Sequence, residues 1–224
     1  MALPSLHVCN LSRARRIKRQ GWTGVLTLAD PGQKDVLRFH RHPCPEHLII
    51  RCEDLDEPMP GFITPTELHA EQIIEFGRRH LDGTLLIQCN AGISRSTAVA
   101  LAILADRLGP GLEQTALDQV LLLQPEAVPN LLLVMFADTV LNRDGELTYA
   151  LASWDTPRSW NRWRREANRI ATLFDGAIPL PPWPAPKVWP KPTLETLQRE
   201  NALLERYKQR RPEITSKMGW YLQS

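Results

Sequence analysis

A cysteine and an arginine six positions apart are the residues of this chain whose types and spacing best suit chemistry. Cys89 ends the apolar run TLLIQC, and the residues between it and Arg95 are Asn90, Ala91, Gly92, Ile93 and Ser94. If Cys89 ends a strand and Arg95 begins a helix, the backbone N–H groups between them converge on one point. We therefore expect this loop to bind a phosphate group and Cys89 to attack it.

The side chains of the loop suit both tasks. Gly92 lets the backbone turn tightly, and the Arg95 guanidinium can donate to two phosphate oxygens at once, which a lysine cannot do. The positive field of the loop favours a thiolate at Cys89. Ser96, and also Ser94, can donate a hydrogen bond to that sulfur. The alternative is a buried structural cysteine near a surface arginine, because a Cys-x5-Arg pair also occurs by chance.

Two other common catalytic motifs are absent from the sequence. There is no G-x-x-x-x-G-K-[ST] loop for a nucleoside triphosphate and no G-x-S-x-G elbow for a nucleophilic serine. The loop after Cys89 also contains no lysine, which disfavours highly charged substrates such as inositol phosphates.

The elements that must position this loop follow from the hydrophobic pattern. Near-continuous apolar runs predict three strands buried on both faces: 25–28, 47–52 and 84–89. Helical patterns predict four helices: 65–81, 95–108, 112–123 and 130–142. The first of these helices is expected to have Thr64 as its cap and Pro65 in its first turn. Strands that alternate with helices indicate an α/β fold with a central, mostly parallel sheet flanked by helices.

The composition divides the chain into two parts. Residues 154–224 hold 13 Lys/Arg against 7 Asp/Glu and six of the seven tryptophans, whereas residues 1–153 hold 14 against 18. We therefore predict one domain over 1–153 and a helical and proline-rich extension over 154–224. Within the extension the predicted elements are a basic helix, an extended arm with seven prolines and a charged helix, at 159–174, 178–192 and 193–211.

The chain is expected to be cytoplasmic. Four cysteines are too few for a disulfide framework in 224 residues. The N-terminal segment carries its charges after its apolar part, which is the reverse of a signal peptide. No apolar run reaches the roughly 18 residues that a membrane span needs.

The segment CNAGISRSTA resembles the signature loop of the cysteine-dependent protein tyrosine phosphatases, usually written H-C-x5-R-[ST]. Over about residues 5–150 the chain is similar to small bacterial tyrosine-phosphatase-like and dual-specificity-like proteins. The further matching segments are HVCNLS at 7–12, HL at 47–48, DLDEPMPG at 54–61 and PEAVPNLLLVMFADTVLNRDG at 125–145.

The resemblance implies the phosphatase fold, with the signature loop at the carboxyl edge of the sheet. It also implies two-step hydrolysis of phosphotyrosine or another phosphomonoester, on a protein or a small molecule, through a thiophosphate intermediate. The residues between Cys89 and Arg95 would bind the phosphate, and neither a metal nor another cofactor is required. A carboxylic acid would protonate the leaving oxygen and then activate water.

That acid is expected directly after the strand at 47–52, in the acidic segment RCEDLDEPMPG. The resemblance favours Asp54, and Asp56 is the alternative. Acidic runs of this kind also occur simply as caps and solvated loops.

One residue departs from the signature, because Gln88 stands where the family has a histidine before the nucleophile. That histidine belongs to the network that orients the loop. Two outcomes are therefore open: a slow phosphatase, or a phosphate-binding or assembly module without turnover. Because Cys89, Arg95, Ser96 and a candidate acid are all present, we expect an enzyme.

Two further segments could bind partners. His40, His42, Cys44 and His47 are of metal-ligand types, but no second cluster matches them, so we expect a loop and no metal site. The extension interleaves Trp with Arg and Pro, which suits docking to a protein or self-assembly first, nucleic acid second and a membrane surface third.

Overall fold

The computed structural model describes residues 5–18, 20–39, 44–58 and 61–155, and residues from 156 onwards lie outside it. Its elements in chain order are β1 (Ser5–Asn10), α1 (Leu11–Ile17), β2 (Gly24–Ala29), β3 (Glu46–Arg51), α2 (Glu67–Arg79), β4 (Thr84–Cys89), α3 (Arg95–Leu108), α4 (Glu113–Leu123), α5 (Leu131–Val140) and α6 (Glu146–Asp155). The helices and strands predicted up to residue 142 are all present, with ends shifted by up to two residues.

The four strands form one parallel sheet in the order β1-β4-β2-β3. The predicted α/β fold with a parallel sheet is therefore confirmed. β4 lies between β1 and β2, and in the register of these pairs Asn10 stands beside Cys89 and Thr27 beside Gln88. Because all strands run in the same direction, their carboxyl ends meet at one edge, where the loop after Cys89 begins.

Helices cover both faces of the sheet. Helix α1 covers a small apolar cluster on one face that includes Ala14, Val25 and Leu86. The other helices belong to the main core on the opposite face, where Leu85 and Ile87 of β4 lie. Helix α3 is buried over almost its whole length, since its alanines let neighbouring helices approach closely. The first residue of this helix, Arg95, is consequently buried as well.

The structure corrects the sequence-based interpretation at three points. Strand β1 and helix α6 were not predicted. Helix α2 is capped by Thr66, whose side chain accepts from the His69 N–H while the His69 ring accepts from the Thr66 N–H, so the expected cap at Thr64 is wrong. Helix α6 runs across the predicted boundary at residue 153, and Trp154 packs against the main core. The elements predicted at 159–174, 178–192 and 193–211 lie outside the described residues.

Within the residues that the structure describes, no helix is both long enough and apolar enough to cross a bilayer.

Candidate active site

The sulfur of Cys89 lies inside the loop that follows β4. The Gly92 N–H donates to Sγ at 3.2 Å, and the Ser96 Oγ lies 3.2 Å from the same atom. The thiol is 1% exposed. Cys89 and Ser96 are thus brought together as predicted, and both groups can stabilise negative charge on the sulfur.

Gly92 is required by both its conformation and its surroundings. Its φ is +75°, in the region that favours glycine. A Cβ atom there would lie 2.3 Å from the Asn10 nitrogen and 2.4 Å from the Cys9 carbonyl carbon. The loop therefore packs directly onto the end of β1, and no other residue fits without a backbone shift.

The carbonyl groups of the loop are bonded to the surrounding chain. The Asn90 carbonyl accepts from the Leu11 N–H at 3.4 Å, and the Gly92 carbonyl accepts from the Gln124 Nε2 at 3.0 Å. The Ile93 carbonyl accepts from the Val128 N–H at 2.7 Å. Because these carbonyl oxygens bond donors outside the loop, the N–H groups of the loop can point towards a bound anion.

Arg95 is held in place by three oxygen-bearing groups. Its guanidinium is 2% exposed, donates to the Cys52 carbonyl and lies 2.8 Å from Asp30 Oδ1. Its Nε is 3.9 Å from Asp54 Oδ2, yet this buried nitrogen has no hydrogen-bond partner among the described residues. Burial acts to lower the pKa of Arg95, but the negative charges of Asp54, Cys89 and Asp30 outweigh it and raise that pKa. The guanidinium is therefore permanently charged.

Asp30 is the site residue that the sequence analysis missed. Besides its ion pair with Arg95, its Oδ2 accepts from the Asn90 side chain at 2.6 Å. One carboxylate thus connects the first and the last residue of the loop. The sequence shows that Asp30 follows the β2 strand directly. That β2 lies next to β4, and so brings Asp30 to the loop, follows only from the strand order.

Asp54 and Asp56 have different surroundings. Asp54 Oδ1 accepts from the Ser94 hydroxyl at 2.6 Å and from the Asn130 side chain at 3.1 Å. Asp56 Oδ1 instead accepts from the Leu131 N–H, at 2.6 Å, in the first turn of α5. Ser94 was expected at the sulfur, but its hydroxyl is directed to Asp54. Asp54 thus contacts the loop through the Ser94 hydroxyl.

Gln88 takes part in a buried chain of hydrogen bonds on the face of the sheet opposite to the Cys89 side chain. Its Nε2 donates to Thr27 Oγ1 at 2.8 Å, and Thr27 Oγ1 lies 2.8 Å from His47 Nε2. Gln88 and Thr27 are each 1% exposed. Burial lowers the pKa of His47, which favours the neutral form of its ring. The chain connects three adjacent strands at the residue before Cys89.

Of the four side chains of metal-ligand types between residues 40 and 47, that of His47 bonds Thr27. His40 and His42 lie outside the described residues. Within residues 5–18, 20–39, 44–58 and 61–155, no three His, Cys, Asp or Glu side chains group as metal ligands.

The comparisons with known proteins rest on solved structures. No protein-family model and no curated protein sequence matches the chain. The fold is similar to the crystal structure of human tyrosine phosphatase-like serine/threonine/tyrosine-interacting protein, with a TM-score of 0.50 and 19% identity over 62% of this chain and 91% of that chain. The fold of this chain is thus the protein tyrosine phosphatase fold.

Further matches have lower scores. Human DUSP28 gives a TM-score of 0.47 with 23% identity over 62% of this chain and 92% of that chain. The Yvh1 phosphatase domain from Chaetomium thermophilum gives 0.47 with 22% identity over 65% and 95%. The match at a TM-score of 0.50 and 19% identity supports the fold alone, and the activity must be argued from the site.

Proposed function

We propose that the chain is a cysteine-dependent phosphatase that hydrolyses phosphotyrosine or related phosphomonoesters. The observation that carries the proposal is the Arg95 guanidinium, which is almost completely buried beside Cys89 and has an Nε donor without a hydrogen-bond partner among the described residues. A buried donor of this kind is costly unless a ligand satisfies it. A phosphate oxygen at the centre of the loop would accept from this nitrogen and from the loop amides.

The contacts support a two-step reaction. Cys89 attacks phosphorus, a sulfur–phosphorus bond forms, and the bond to the leaving oxygen breaks as that oxygen takes a proton from the general acid. In the second step a water molecule gives a proton to the same carboxylate and attacks phosphorus, which releases the thiolate and inorganic phosphate. Ser96 and the Gly92 N–H stabilise the sulfur as it leaves, and Arg95 stabilises the equatorial oxygens.

We assign the general acid to Asp54. Its contact with Ser94 supports this role, since the carboxyl group lies at the edge of the phosphate loop. The bond between Asp56 and the Leu131 N–H supports a structural role for Asp56, since it satisfies a backbone donor in the first turn of α5, next to the N-cap Asn130. The residues that would bind the phosphate remain those from Asn90 to Arg95.

The second candidate function is a phosphate-binding or assembly module with little or no turnover. Gln88 favours it, because an amide replaces the histidine expected before the nucleophile. The fold does not decide between the two functions. The solved structure that it matches at a TM-score of 0.50 is named both as tyrosine phosphatase-like and as an interacting protein. The extension over 154–224 would dock a partner protein or a second copy in either case. A cytoplasmic location and activity on phosphoserine and phosphothreonine also remain part of the proposal.

The test is hydrolysis of para-nitrophenyl phosphate by the full chain, by Cys89→Ser and by Cys44→Ser. Cys44 is an exposed cysteine outside the loop and serves as the matched control. We expect Cys89→Ser to lose turnover by about 10³-fold or more and Cys44→Ser to keep it. If the wild type is silent and Gln88→His is active, the binding module is the correct reading. Turnover that survives in Cys89→Ser overturns the mechanism.

A further inference from the structure

A groove of about 300 Å³ lies beside the candidate active site. It is lined by Leu6–Asn10 of β1, by Arg13 of α1 and by residues 123–125 at the end of α4. Successive residues of a strand point to opposite faces, so a groove lined by five of them in a row follows the outer edge of β1. This edge has no strand partner among the described residues.

The groove adjoins the catalytic loop at two points. Asn10 stands beside Cys89 in the register of β1 and β4, which places neighbouring backbones about 4.8 Å apart. Gln124 lines the groove and also donates to the Gly92 carbonyl at 3.0 Å. A ligand bound at the loop therefore has the groove within reach of its flanking parts.

The charge of the groove is positive. None of its lining residues is an Asp or Glu. Arg13 is exposed, and among the described residues its guanidinium has no hydrogen-bond or ion-pair partner, whereas Arg15 of the same helix pairs with Asp35 and Arg78 pairs with Asp106. His7, which also lines the groove, has a buried ring nitrogen Nε2 without a hydrogen-bond partner among the described residues.

The field of Arg13 acts on two neighbouring side chains of β1. Burial lowers the pKa of His7, and the charge of Arg13 lowers it further. Burial raises the pKa of Cys9 to about 11, an effect that the charge of Arg13 opposes. Both effects place the positive charge of the Arg13 guanidinium close to the β1 side chains that line the groove.

We propose that this groove is a second anion subsite that takes an acidic side chain of a phosphorylated peptide, next to the phosphorylated residue. The inference rests on the proposed function and extends it to the choice of substrate. Arg13 follows Asn10 by three residues, and its N–H donates to Asn10 Oδ1 at 2.8 Å. With a rise of about 1.5 Å per helical residue and about 4.8 Å between neighbouring strands, the Arg13 Cα lies within about 10 Å of the Cys89 Cα. An Asp or Glu one to three residues from the phosphotyrosine spans this distance in an extended peptide.

The experiment measures binding of fluorescent phosphotyrosine peptides to the full-chain Cys89→Ser protein by anisotropy. The peptides carry either Glu or Gln at one of the three positions on each side of the phosphotyrosine. We expect a Glu peptide to bind about fivefold more tightly than its Gln counterpart at one or more of these positions. The preference should disappear in Arg13→Ala, persist in Arg13→Lys and reverse to a preference for the Gln peptides in Arg13→Glu.

The matched control is Arg15→Ala, which removes an arginine of the same helix that pairs with Asp35. This variant should keep the Glu preference. Equal binding of Glu and Gln peptides to the Cys89→Ser protein overturns the subsite while leaving the proposed function intact. A preference that survives in Arg13→Ala also overturns it. Absence of binding by every phosphopeptide overturns the proposed substrate class and the subsite together. Because the readout is binding, a slow or silent catalytic step does not affect the result.

Discussion

Thr27 lies between Gln88 and His47 and joins them through one hydroxyl group, at 2.8 Å from each side-chain nitrogen. Gln88 Nε2 donates to this oxygen, so the Thr27 O–H is available to donate to His47 Nε2. All three residues stand on adjacent strands, and Gln88 precedes Cys89. The backbone at Cys89 is therefore tied to the centre of the sheet.

The first prediction concerns Thr27→Val, which removes the hydroxyl while keeping the shape. The buried Gln88 donor then loses its acceptor, which costs about 1–3 kcal/mol of the free energy of unfolding, and turnover should fall. Thr27→Ser keeps the hydroxyl and should retain both properties. Urea unfolding and hydrolysis of para-nitrophenyl phosphate measure the two effects. A Val variant equal to wild type in both would show that the hydrogen-bond chain has no such role.

The second prediction concerns Gly92→Ala. The new Cβ would approach the Asn10 nitrogen to 2.3 Å at a positive φ, so the loop must move. We expect a loss of about 1–3 kcal/mol in the free energy of unfolding and a fall in turnover of about 100-fold, since small displacements of reacting groups are costly. Gly109→Ala is the control, because Gly109 also has a positive φ but no atom near its Cβ position. Equal loss of turnover in both variants would show that the close packing of Gly92 on β1 does not explain the loss.

The third prediction separates the two acids. Asp54→Asn should lower kcat for an alkyl phosphate by about 100-fold or more with a smaller effect on a substrate with a good leaving group. Asp56→Ala should instead lower the free energy of unfolding by about 1 kcal/mol, because the Leu131 N–H in the first turn of α5 loses its acceptor. Kinetics with both substrates and thermal unfolding distinguish these results. The opposite pattern would assign the acid to Asp56.

The fourth prediction concerns Asp30→Asn. Loss of the ion pair should leave Arg95 less well oriented and lower kcat/KM by about tenfold. Removal of a negative charge also reduces repulsion of the phosphate, but Asp30 is 43% exposed and this effect is screened by solvent. Asp35→Asn is the control, since Asp35 pairs with Arg15 on the surface. An increase of kcat/KM in Asp30→Asn would mean that repulsion is the larger effect.

The fifth prediction concerns pH and His47. Because burial lowers its pKa in the folded state, the unfolded chain binds a proton at this residue more readily. The contribution of His47 is fully present above the unfolded pKa of about 6.5 and is lost as the pH falls towards the lower folded value. The free energy of unfolding should therefore fall less steeply between about pH 7 and about pH 5 in His47→Gln than in wild type. Urea unfolding at several pH values measures both slopes, and parallel curves would contradict the assignment.

Local sequence pattern was sufficient for the elements that build the centre of the fold. The continuous apolar runs of β2 and β4 predict strands, and the Ala-rich run of α3 predicts a helix. The observed elements agree with these predictions. Strand β1 was missed because His7 and Asn10 interrupt its apolar residues. Helix α6 was missed because the change in composition at Trp154 was read as a boundary, although this side chain packs against the core.

The residues of the candidate site can also be predicted only in part from the sequence. Cys89, Ser96 and Arg95 are close in sequence, so their spacing and the resemblance to a known signature identify them together. Asp30 and Thr27 come from another strand, and nothing in the sequence states that β2 is the neighbour of β4. Contacts between strands distant in sequence follow from sheet order, which single-sequence patterns do not provide.

The segment that carries Asp54 is fastened on both sides. The Glu53 N–H donates to the Ile63 carbonyl at 2.8 Å, the Asn130 side chain donates to the Leu55 carbonyl at 3.0 Å, and Asp56 bonds α5. An acid carried on a lid would have to swing in during each turnover, whereas this one is already at the loop. Catalysis would then need no lid closure to bring this carboxyl group to the loop.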